Sequence, residues 1–197
     1  MTQILPPRTT AALCALLLVS SAASAQTPAP APAAAPAASS TPAANPADVA
    51  SLDAILRSLY DVISGPAGQA RNWDRMRSLF TPGARLIPTG RRPDGTRRIV
   101  TWTVDEYITA VGPQLERGGF FEREIARRVE RYGNIVHVFS TYESRRAAED
   151  PQPFARGINS IQLWYDDTRW WVVTIFWEGE RPDNPIPSKY LQSEPGQ

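Results

Sequence analysis

Few residues in this chain combine a chemical type and a position that could support chemistry. Tyr60 closes an apolar helical pattern, and Asn159 is the one amide among the apolar residues of a predicted strand face. A phenol and a carboxamide that meet in a cavity could donate hydrogen bonds to a ligand carbonyl. Alternatively, each group satisfies a neighbouring polar group of the protein, as buried polar groups usually do. The sequence leaves both interpretations open.

The single histidine, His137, lies on a predicted strand whose inward face the pattern does not fix. A general base needs a carboxylate beside it, and Glu143 on the same strand face lies about 20 Å away at ~3.4 Å per residue. The one cysteine, Cys14, falls in a predicted leader. We therefore predict no metal site, no cofactor and no assigned catalytic residue, and the sequence contains no phosphate loop, dinucleotide fingerprint or nucleophile elbow.

The first 47 residues are predicted to lie outside the folded domain. Residues 1–25 combine Arg8, a short apolar run and the end Ala23-Ser24-Ala25. This pattern is typical of a signal peptide and predicts a periplasmic or secreted protein, cleaved after Ala25. Residues 26–47 are nearly all Ala, Pro, Thr and Ser, a composition that predicts a disordered linker.

Charge composition argues against two classes of partner. The chain has 21 basic and 20 acidic residues, and removal of Arg8 with the leader makes the numbers equal. The arginine pairs at 91–92, 97–98, 127–128 and 145–146 are dispersed among acidic residues. We therefore predict neither a nucleic-acid-binding surface nor an anionic-membrane-binding surface. The apolar run at 11–19 is too short to span a bilayer, so we predict no membrane span. The partner that we expect is a small apolar or amphipathic ligand.

Residues 48–180 predict one α+β domain, followed by a Pro-rich tail at 181–197. Asn45-Pro46 begins a first helix whose apolar spacing continues to Ile63. A second helix covers 72–80. Thr103 and Glu106 form the capping box of a third helix, which Gly118-Gly119 closes.

The strands are predicted to form an antiparallel meander. A short strand covers 85–88. Residues 120–131 fit either a strand or a helix, and we favour a strand because the turn at 132–134 leads into a β-rich run at 135–142. The runs 157–165 and 169–177 then form a hairpin around a three-residue turn.

This last hairpin predicts a definite register. A three-residue loop pairs Leu163 with Trp171, Ile161 with Val173, Asn159 with Ile175, and Gly157 with Trp177. The face that carries these residues is apolar except for Asn159. Because helices must cover that face, we expect a strongly curved sheet with one polar group pointing inward.

The order of these elements resembles the nuclear-transport-factor-2-like superfamily, which includes ketosteroid isomerase and polyketide cyclases. The resemblance rests on Leu59-Tyr60 and on the runs 73–80, 83–86 and 169–177. It implies three N-terminal helices packed on a strongly curved antiparallel sheet, a cone-shaped half-barrel around an apolar pocket. It also implies that the domain is compatible with a homodimer.

The resemblance to ketosteroid isomerase can be followed residue by residue. The oxyanion-donor tyrosine of that enzyme matches Tyr60, and its pocket tryptophan matches Trp177. Its general-base carboxylate falls beside Pro88. Its protonated acid falls near Ile161, with Asn159 one inward position away. Both carboxylates are missing, so the resemblance does not imply isomerase chemistry by that mechanism.

The leading hypothesis is an exported module that binds a small molecule in an apolar pocket and has no clear catalytic centre. One alternative is an isomerase- or cyclase-type enzyme that uses Tyr60 and Asn159 as hydrogen-bond donors. The other is a dimerisation or protein-interaction domain whose cavity is filled. The predicted pocket residues are Tyr60, Trp73, Leu86, Ile108, Tyr142, Asn159, Ile161, Ile175 and Trp177.

Overall fold

The computed structural model describes residues 41–193, so the predicted signal peptide and most of the predicted linker lie outside the described residues. The helices are α1 (Pro46–Val49), α2 (Leu52–Ile63), α3 (Trp73–Leu79) and α4 (Val104–Gly118). The strands are β1 (Phe80–Arg91), β2 (Arg97–Ile99), β3 (Phe121–Tyr132), β4 (Ile135–Arg145), β5 (Ala155–Tyr165) and β6 (Trp170–Gly179). No helix within 41–193 is long and apolar enough to cross a bilayer.

The predicted α+β class is confirmed, with two differences in arrangement. The strands form one sheet in the order β2-β1-β6-β5-β4-β3. β1 pairs with β6 in parallel, whereas the other neighbours are antiparallel. α4 follows β1 and β2, so only α1, α2 and α3 precede the sheet. β1 is also longer than predicted, because Phe80 pairs with Val172 directly after α3 ends.

The predicted first helix is divided into α1 and α2. Asn45 caps α1 by accepting a hydrogen bond from the backbone N–H of Ala47. Ser51 caps α2 in the same way, since its hydroxyl oxygen accepts from a backbone N–H one turn later. Serine and asparagine favour this position because their side chains replace the helical partners that the first N–H groups lack.

An ion pair between a buried carboxylate and a half-buried guanidinium fixes α1 against α3. Asp48 in α1 is buried, and its carboxylate accepts from the Ser58 hydroxyl at 3.0 Å. The Arg75 guanidinium lies 2.8 Å from the same carboxylate. This hydrogen bond with Arg75 is the largest reason that the pKa of Asp48 is lowered.

The predicted capping box of α4 is confirmed at Thr103 and Glu106. The helix ends at Gly118, and Gly119 has a φ of 68°, a conformation that glycine adopts more easily than other residues. A Cβ atom on Gly119 would also lie 2.6 Å from the carbonyl oxygen of Arg146. The glycine therefore sets the point at which the chain leaves α4 and enters β3.

The last hairpin turns over four residues, 166–169, rather than the predicted three. The Asp166 carboxylate stabilises this turn, because it accepts from the backbone N–H groups of Thr168 and Arg169 at 2.9 and 2.8 Å. Tyr165 and Trp170 are consequently the first pair of the ladder.

The longer turn and one irregularity displace the predicted register. Leu163 pairs with Val172, one residue away from the prediction. The pairing shifts again between Gln162 and Leu163, so that Ile161 pairs with Ile175, two residues away from the prediction. A one-residue displacement turns side chains to the opposite face, whereas a displacement of two residues restores the face.

This displacement decides which side chains of β6 face the core. Trp170 and Val172 are buried in place of the predicted Trp171 and Val173. Val173 is the extra residue of β6 and is 37% exposed. Beyond the irregularity the predicted faces hold, and Ile175 packs against the core.

The segment after β6 lies against the outer face of the sheet. Residues 188–190 form a short 3-10 turn. The carbonyl oxygen of Tyr190 accepts from the Thr141 hydroxyl at 2.6 Å, and the Tyr190 ring lies 4.9 Å from the Phe139 ring. This segment covers part of β4 on the side opposite the helices.

Candidate ligand-binding site

A cavity of about 370 Å³ lies between the helices and the inner face of the sheet. This volume is within the usual range for small-molecule sites. Aliphatic side chains from α2, β1, β5 and β6 form part of its wall, together with Met76 of α3. Its aromatic lining residues are Tyr60, Phe80, Trp102, Tyr107, Phe120, Tyr142, Phe154 and Trp177.

Seven of the nine residues predicted for a pocket line this cavity, and Trp73 and Ile108 do not. The indole N–H of Trp73 donates to Glu116 at 3.0 Å, and its ring packs against Gly112. Ile108 packs against the core from α4. Helical spacing predicts which residues lie on the inward face of a helix. It does not predict which of these residues reach the cavity. The seven lining residues are Tyr60, Leu86, Tyr142, Asn159, Ile161, Ile175 and Trp177.

Glu122 of β3 places a carboxyl group in this otherwise largely apolar cavity. The Ser144 hydroxyl donates to its Oε2 atom at 2.8 Å, and the Asn159 amide, which donates to the Tyr60 hydroxyl, lies close enough to stabilise the charged carboxylate. Burial raises the pKa of Glu122 to about 7, and the hydrogen bonds from Ser144 and Asn159 act in the opposite direction. The groups that set this pKa include no cation. The carboxyl is therefore poised between its neutral and charged forms near neutral pH.

Glu122 was not predicted as a cavity residue, and the reason is physical. Its segment fits both a helical and a strand spacing, so its inward face could not be assigned. The pairing of β3 with β4 also shifts between Glu124 and Ala126. The turn after Tyr132 is the signal that could have predicted the position of Glu122, because the antiparallel ladder formed around this turn pairs Glu122 with Ser144.

Tyr60 and Asn159 meet as the sequence suggested, but the protein engages both groups. The Asn159 amide donates to the Tyr60 hydroxyl oxygen at 3.2 Å. The Tyr60 hydroxyl lies 2.6 Å from the Ser140 hydroxyl, and Ser140 in turn donates to Glu124. Since the Ser140 proton is directed at Glu124, Tyr60 donates its own proton to Ser140. The Tyr60 proton is thus not available to a ligand.

Tyr107 and Tyr142 carry the two cavity hydroxyls that lack a protein partner within residues 41–193. No side-chain polar atom in this part of the chain is sealed from solvent without a hydrogen bond, so both hydroxyls face open space. Burial is the main cause that raises the pKa of each phenol, and the nearby Glu122 charge acts in the same direction. Both phenols therefore stay protonated at neutral pH and can donate to a ligand.

Arg146 and Phe154 contribute to one edge of the cavity lining. The guanidinium carbon of Arg146 lies 4.1 Å from the centre of the Phe154 ring, a cation–π contact. Both side chains are exposed. They therefore mark where the cavity opens to solvent.

A second cleft, of about 720 Å³, is wider and more highly charged. Its guanidinium and carboxylate groups largely neutralise one another. Arg127 pairs with Asp53 at 2.6 Å and with Glu124 at 2.5 Å, and Arg145 pairs with Glu143. Tyr60 and Glu122 line this cleft as well as the apolar cavity, but the Tyr107 and Tyr142 hydroxyls lie in the apolar cavity alone, and we regard the apolar cavity as the better candidate site.

His137 lies on the outer face of the sheet and does not line the cavity. Its Nδ1 atom is 3.2 Å from Glu130, and its Nε2 atom is 2.9 Å from the Ser160 hydroxyl. Glu143, the carboxylate on the same strand, pairs with Arg123 at 2.6 Å. Residues 41–193 contain no group of three or more His, Cys, Asp and Glu side chains placed to hold a metal ion.

No protein-family model matches the chain, and no curated protein matches it. Several solved structures do. One is a protein described as having a cystatin-like fold and unknown function, from Nostoc punctiforme PCC 73102. It is 14% identical, the match covers 66% of this chain and 89% of that one, and the TM-score is 0.45.

Two further solved structures carry the name of the superfamily that the sequence resembles. An NTF-2-like protein of unknown function from Silicibacter pomeroyi DSS-3 is 14% identical, with a TM-score of 0.45, over 66% of this chain and 94% of that one. An NTF2-like superfamily protein from Salmonella enterica serovar Typhimurium is 14% identical, with a TM-score of 0.42, over 68% and 85% of the two chains. The resemblance concerns the fold, and the function must be inferred from this chain's own cavity.

Proposed function

We propose that this protein binds a small apolar or amphipathic molecule in the cavity that contains Glu122. The observation that carries the proposal is that the Glu122 carboxyl and two phenols meet in an otherwise apolar cavity. The phenols belong to Tyr107 and Tyr142, whose hydroxyls have no protein partner within residues 41–193. Because the Tyr107 and Tyr142 hydroxyls face the open space of the cavity, they can donate hydrogen bonds to a polar group of a ligand. The apolar part of the ligand would pack against the walls.

The space inside the cavity favours this proposal over a domain filled by its own side chains. Trp177, a large residue well placed to fill the space, stands edge-on to Tyr107 with 6.3 Å between ring centroids. A volume of about 370 Å³ remains beside these rings. The segment around Tyr190 packs on the outer face of the sheet rather than in the cavity.

Acid–base catalysis is a second candidate, and Glu122 is the observation that favours it. A general acid or base works best when its pKa lies near the operating pH, and the pKa of Glu122 is about 7. Tyr60 and Asn159 would then position Glu122 rather than donate to a substrate, because their hydrogen bonds are already made. In such an enzyme Glu122→Gln would abolish turnover and retain substrate binding.

Isothermal titration of the purified chain with apolar ketones, alcohols and amines tests the binding proposal. Ile175→Trp fills the cavity from β6, and Thr174→Trp adds the same side chain on the opposite face of that strand. We expect ligand binding to be retained in Thr174→Trp and weakened by about tenfold or more in Ile175→Trp. Equal binding by both variants, or no binding by the parent chain, would contradict the proposal.

The proposal includes export of the protein. The pattern at residues 1–25 supports it, because a basic start, an apolar run and a small-residue end are what signal peptidase substrates share. The ligand would then be met outside the cytoplasm, and the linker at 26–47 would separate the binding domain from the export machinery.

A further inference from the structure

We propose that the cavity selects amphipathic amines, with the ligand ammonium group paired to Glu122 and its apolar body against the aromatic walls. This inference rests on the proposed function, because it names the ligand class of the same cavity. It requires that a positive charge on the ligand strengthens binding, which the general proposal does not require.

The Glu122 carboxyl has hydrogen-bond donors beside it but no positively charged partner. Ser144 and Asn159 supply neutral partners for its carboxylate. Elsewhere in the domain a buried carboxylate such as Asp48 is paired with an arginine at 2.8 Å. A carboxylate in apolar surroundings is costly to ionise unless a cation pairs with it. A cation that enters the open cavity would supply a counter-charge for the ionised form of Glu122.

The second argument concerns the other titratable groups that face Glu122. α2 contributes Tyr60, α4 contributes Tyr107 and β4 contributes Tyr142. Burial raises the pKa of all three phenols, so they remain neutral across the physiological range. β5 faces the cavity with the uncharged Asn159, and the lining residues of α3 and β6 carry no titratable group. Glu122 is thus the group in this interior that changes charge near neutral pH.

The third argument is the composition of the walls. Tyr107 stands edge-on to Trp102 and to Trp177, with 6.1 and 6.3 Å between ring centroids. The faces of such rings attract ammonium groups, and tryptophan attracts them most strongly. The aliphatic residues of the same cavity suit the apolar part of an amphipathic molecule.

Arg146 distinguishes an amine from an anionic ligand. It is the one basic residue in the cavity lining, it is exposed, and its guanidinium lies on the Phe154 ring. An anion could meet Arg146 at the opening, but it could not bring its charge next to Glu122 without repulsion. We therefore expect carboxylates to bind more weakly than amines of the same shape.

The sign of the pH dependence separates charged from neutral ligands. An ammonium group pairs with ionised Glu122, whereas the neutral acid is the better donor to an uncharged ligand. With a pKa of about 7 for Glu122, amine affinity should rise about tenfold between about pH 6 and about pH 8. The affinity for an uncharged ligand should stay constant or fall over the same interval.

Calorimetric titration of the purified chain with matched pairs provides the test: hexylamine with hexanol, phenethylamine with phenethyl alcohol, and tryptamine with tryptophol. At about pH 8 we expect the amine of at least one pair to bind about tenfold more tightly than its alcohol. Glu122→Gln should remove that preference for the amine over its alcohol. Glu149→Gln, which makes the same charge change at an exposed residue, should leave both affinities unchanged.

Proton release can be measured on the unaltered chain. This measurement therefore does not depend on whether Glu122→Gln folds. At about pH 7, titration in buffers of different ionisation enthalpy should show release of about half a proton when the amine binds. Binding of the alcohol should release no proton, and it should take up protons if the alcohol affinity falls with rising pH. If the alcohols bind as tightly as the amines, or if no proton is released, the amine inference is overturned while the binding proposal stands. If neither member of any pair binds, both are overturned.

Discussion

Tyr60 and Tyr142 both point their hydroxyls at the cavity, yet their surroundings give them different roles. The Tyr60 hydroxyl accepts from Asn159 and donates to Ser140, and so connects α2 to the sheet. The Tyr142 hydroxyl has no partner within residues 41–193 and lies in the cavity that Glu122 also lines. The residue type alone could not distinguish these roles, because the partners come from strands distant in sequence.

Removal of the two hydroxyls should therefore have opposite consequences. Tyr60→Phe should lower the free energy of unfolding by about 1–3 kcal/mol, since Asn159 and Ser140 both lose a partner. Tyr142→Phe should change it by less than about 0.5 kcal/mol but weaken ligand binding. Urea denaturation of both variants measures the difference. Equal losses of stability would show that the two hydroxyls are not partnered as described.

Glu122 should make the stability of the domain depend on pH. Its pKa rises from an ordinary value of 4.5 to about 7 on folding, so between these values the folded chain binds more protons than the unfolded chain. The stabilisation is complete below about pH 4.5 and is lost as the pH rises through about 7, by roughly 3 kcal/mol in total. Urea melts of the parent and Glu122→Gln at several pH values isolate this contribution. Parallel stability curves would contradict it.

Among the secondary-structure elements, β5 and β6 pair with each other and position residues that line the cavity. Gly157 and Gly179 are direct partners on these strands. A Cβ atom on Gly157 would collide with the Tyr142 hydroxyl and would lie 2.5 Å from the carbonyl oxygen of Glu178. A Cβ atom on Gly179 would approach nothing closer than 3.8 Å. The absence of a side chain at Gly157 thus makes room for the Tyr142 phenol.

The two glycines offer a matched pair of substitutions. Gly157→Ala should destabilise the domain by about 1–3 kcal/mol and weaken ligand binding, because both the Tyr142 side chain and β6 must move. Gly179→Ala should be nearly neutral in both respects. Thermal melts and ligand titrations of both variants provide the comparison. A mild effect of Gly157→Ala would mean that the close approach of Tyr142 is not required.

The elements were predictable where local chemistry determines them. The Asn45 cap, the Thr103 capping box and the turn after Tyr132 each follow from residues close together in sequence, and the structure contains all three. The register of the last hairpin was not predictable, because it depends on the four-residue turn at Asp166 and on the irregularity before Leu163. The role of Glu122 was missed for the same kind of reason, since it follows from pairing across strands.

At the scale of the whole molecule, the folded domain is one part of a longer chain. Its predicted export follows from residues 1–25, and the domain itself carries a balanced set of charges. We expect mass spectrometry of the protein recovered from outside the cytoplasm to show a mature N-terminus at Gln26. An intact Met1 or an acylated Cys14 on that protein would contradict the prediction of a cleaved, unlipidated leader.

We hold that Glu122 is a half-buried carboxyl with a raised pKa in a cavity that a ligand can enter. Carbon-13 NMR titration of the glutamate carboxyl signals tests it most directly, with Glu122 assigned by its absence in Glu122→Gln. We predict a midpoint near 7 in the free protein. In the presence of a bound amine the midpoint should fall, because the ammonium group stabilises the charged carboxylate. A midpoint near 4.5, the ordinary value, or one that no ligand shifts, would contradict the account.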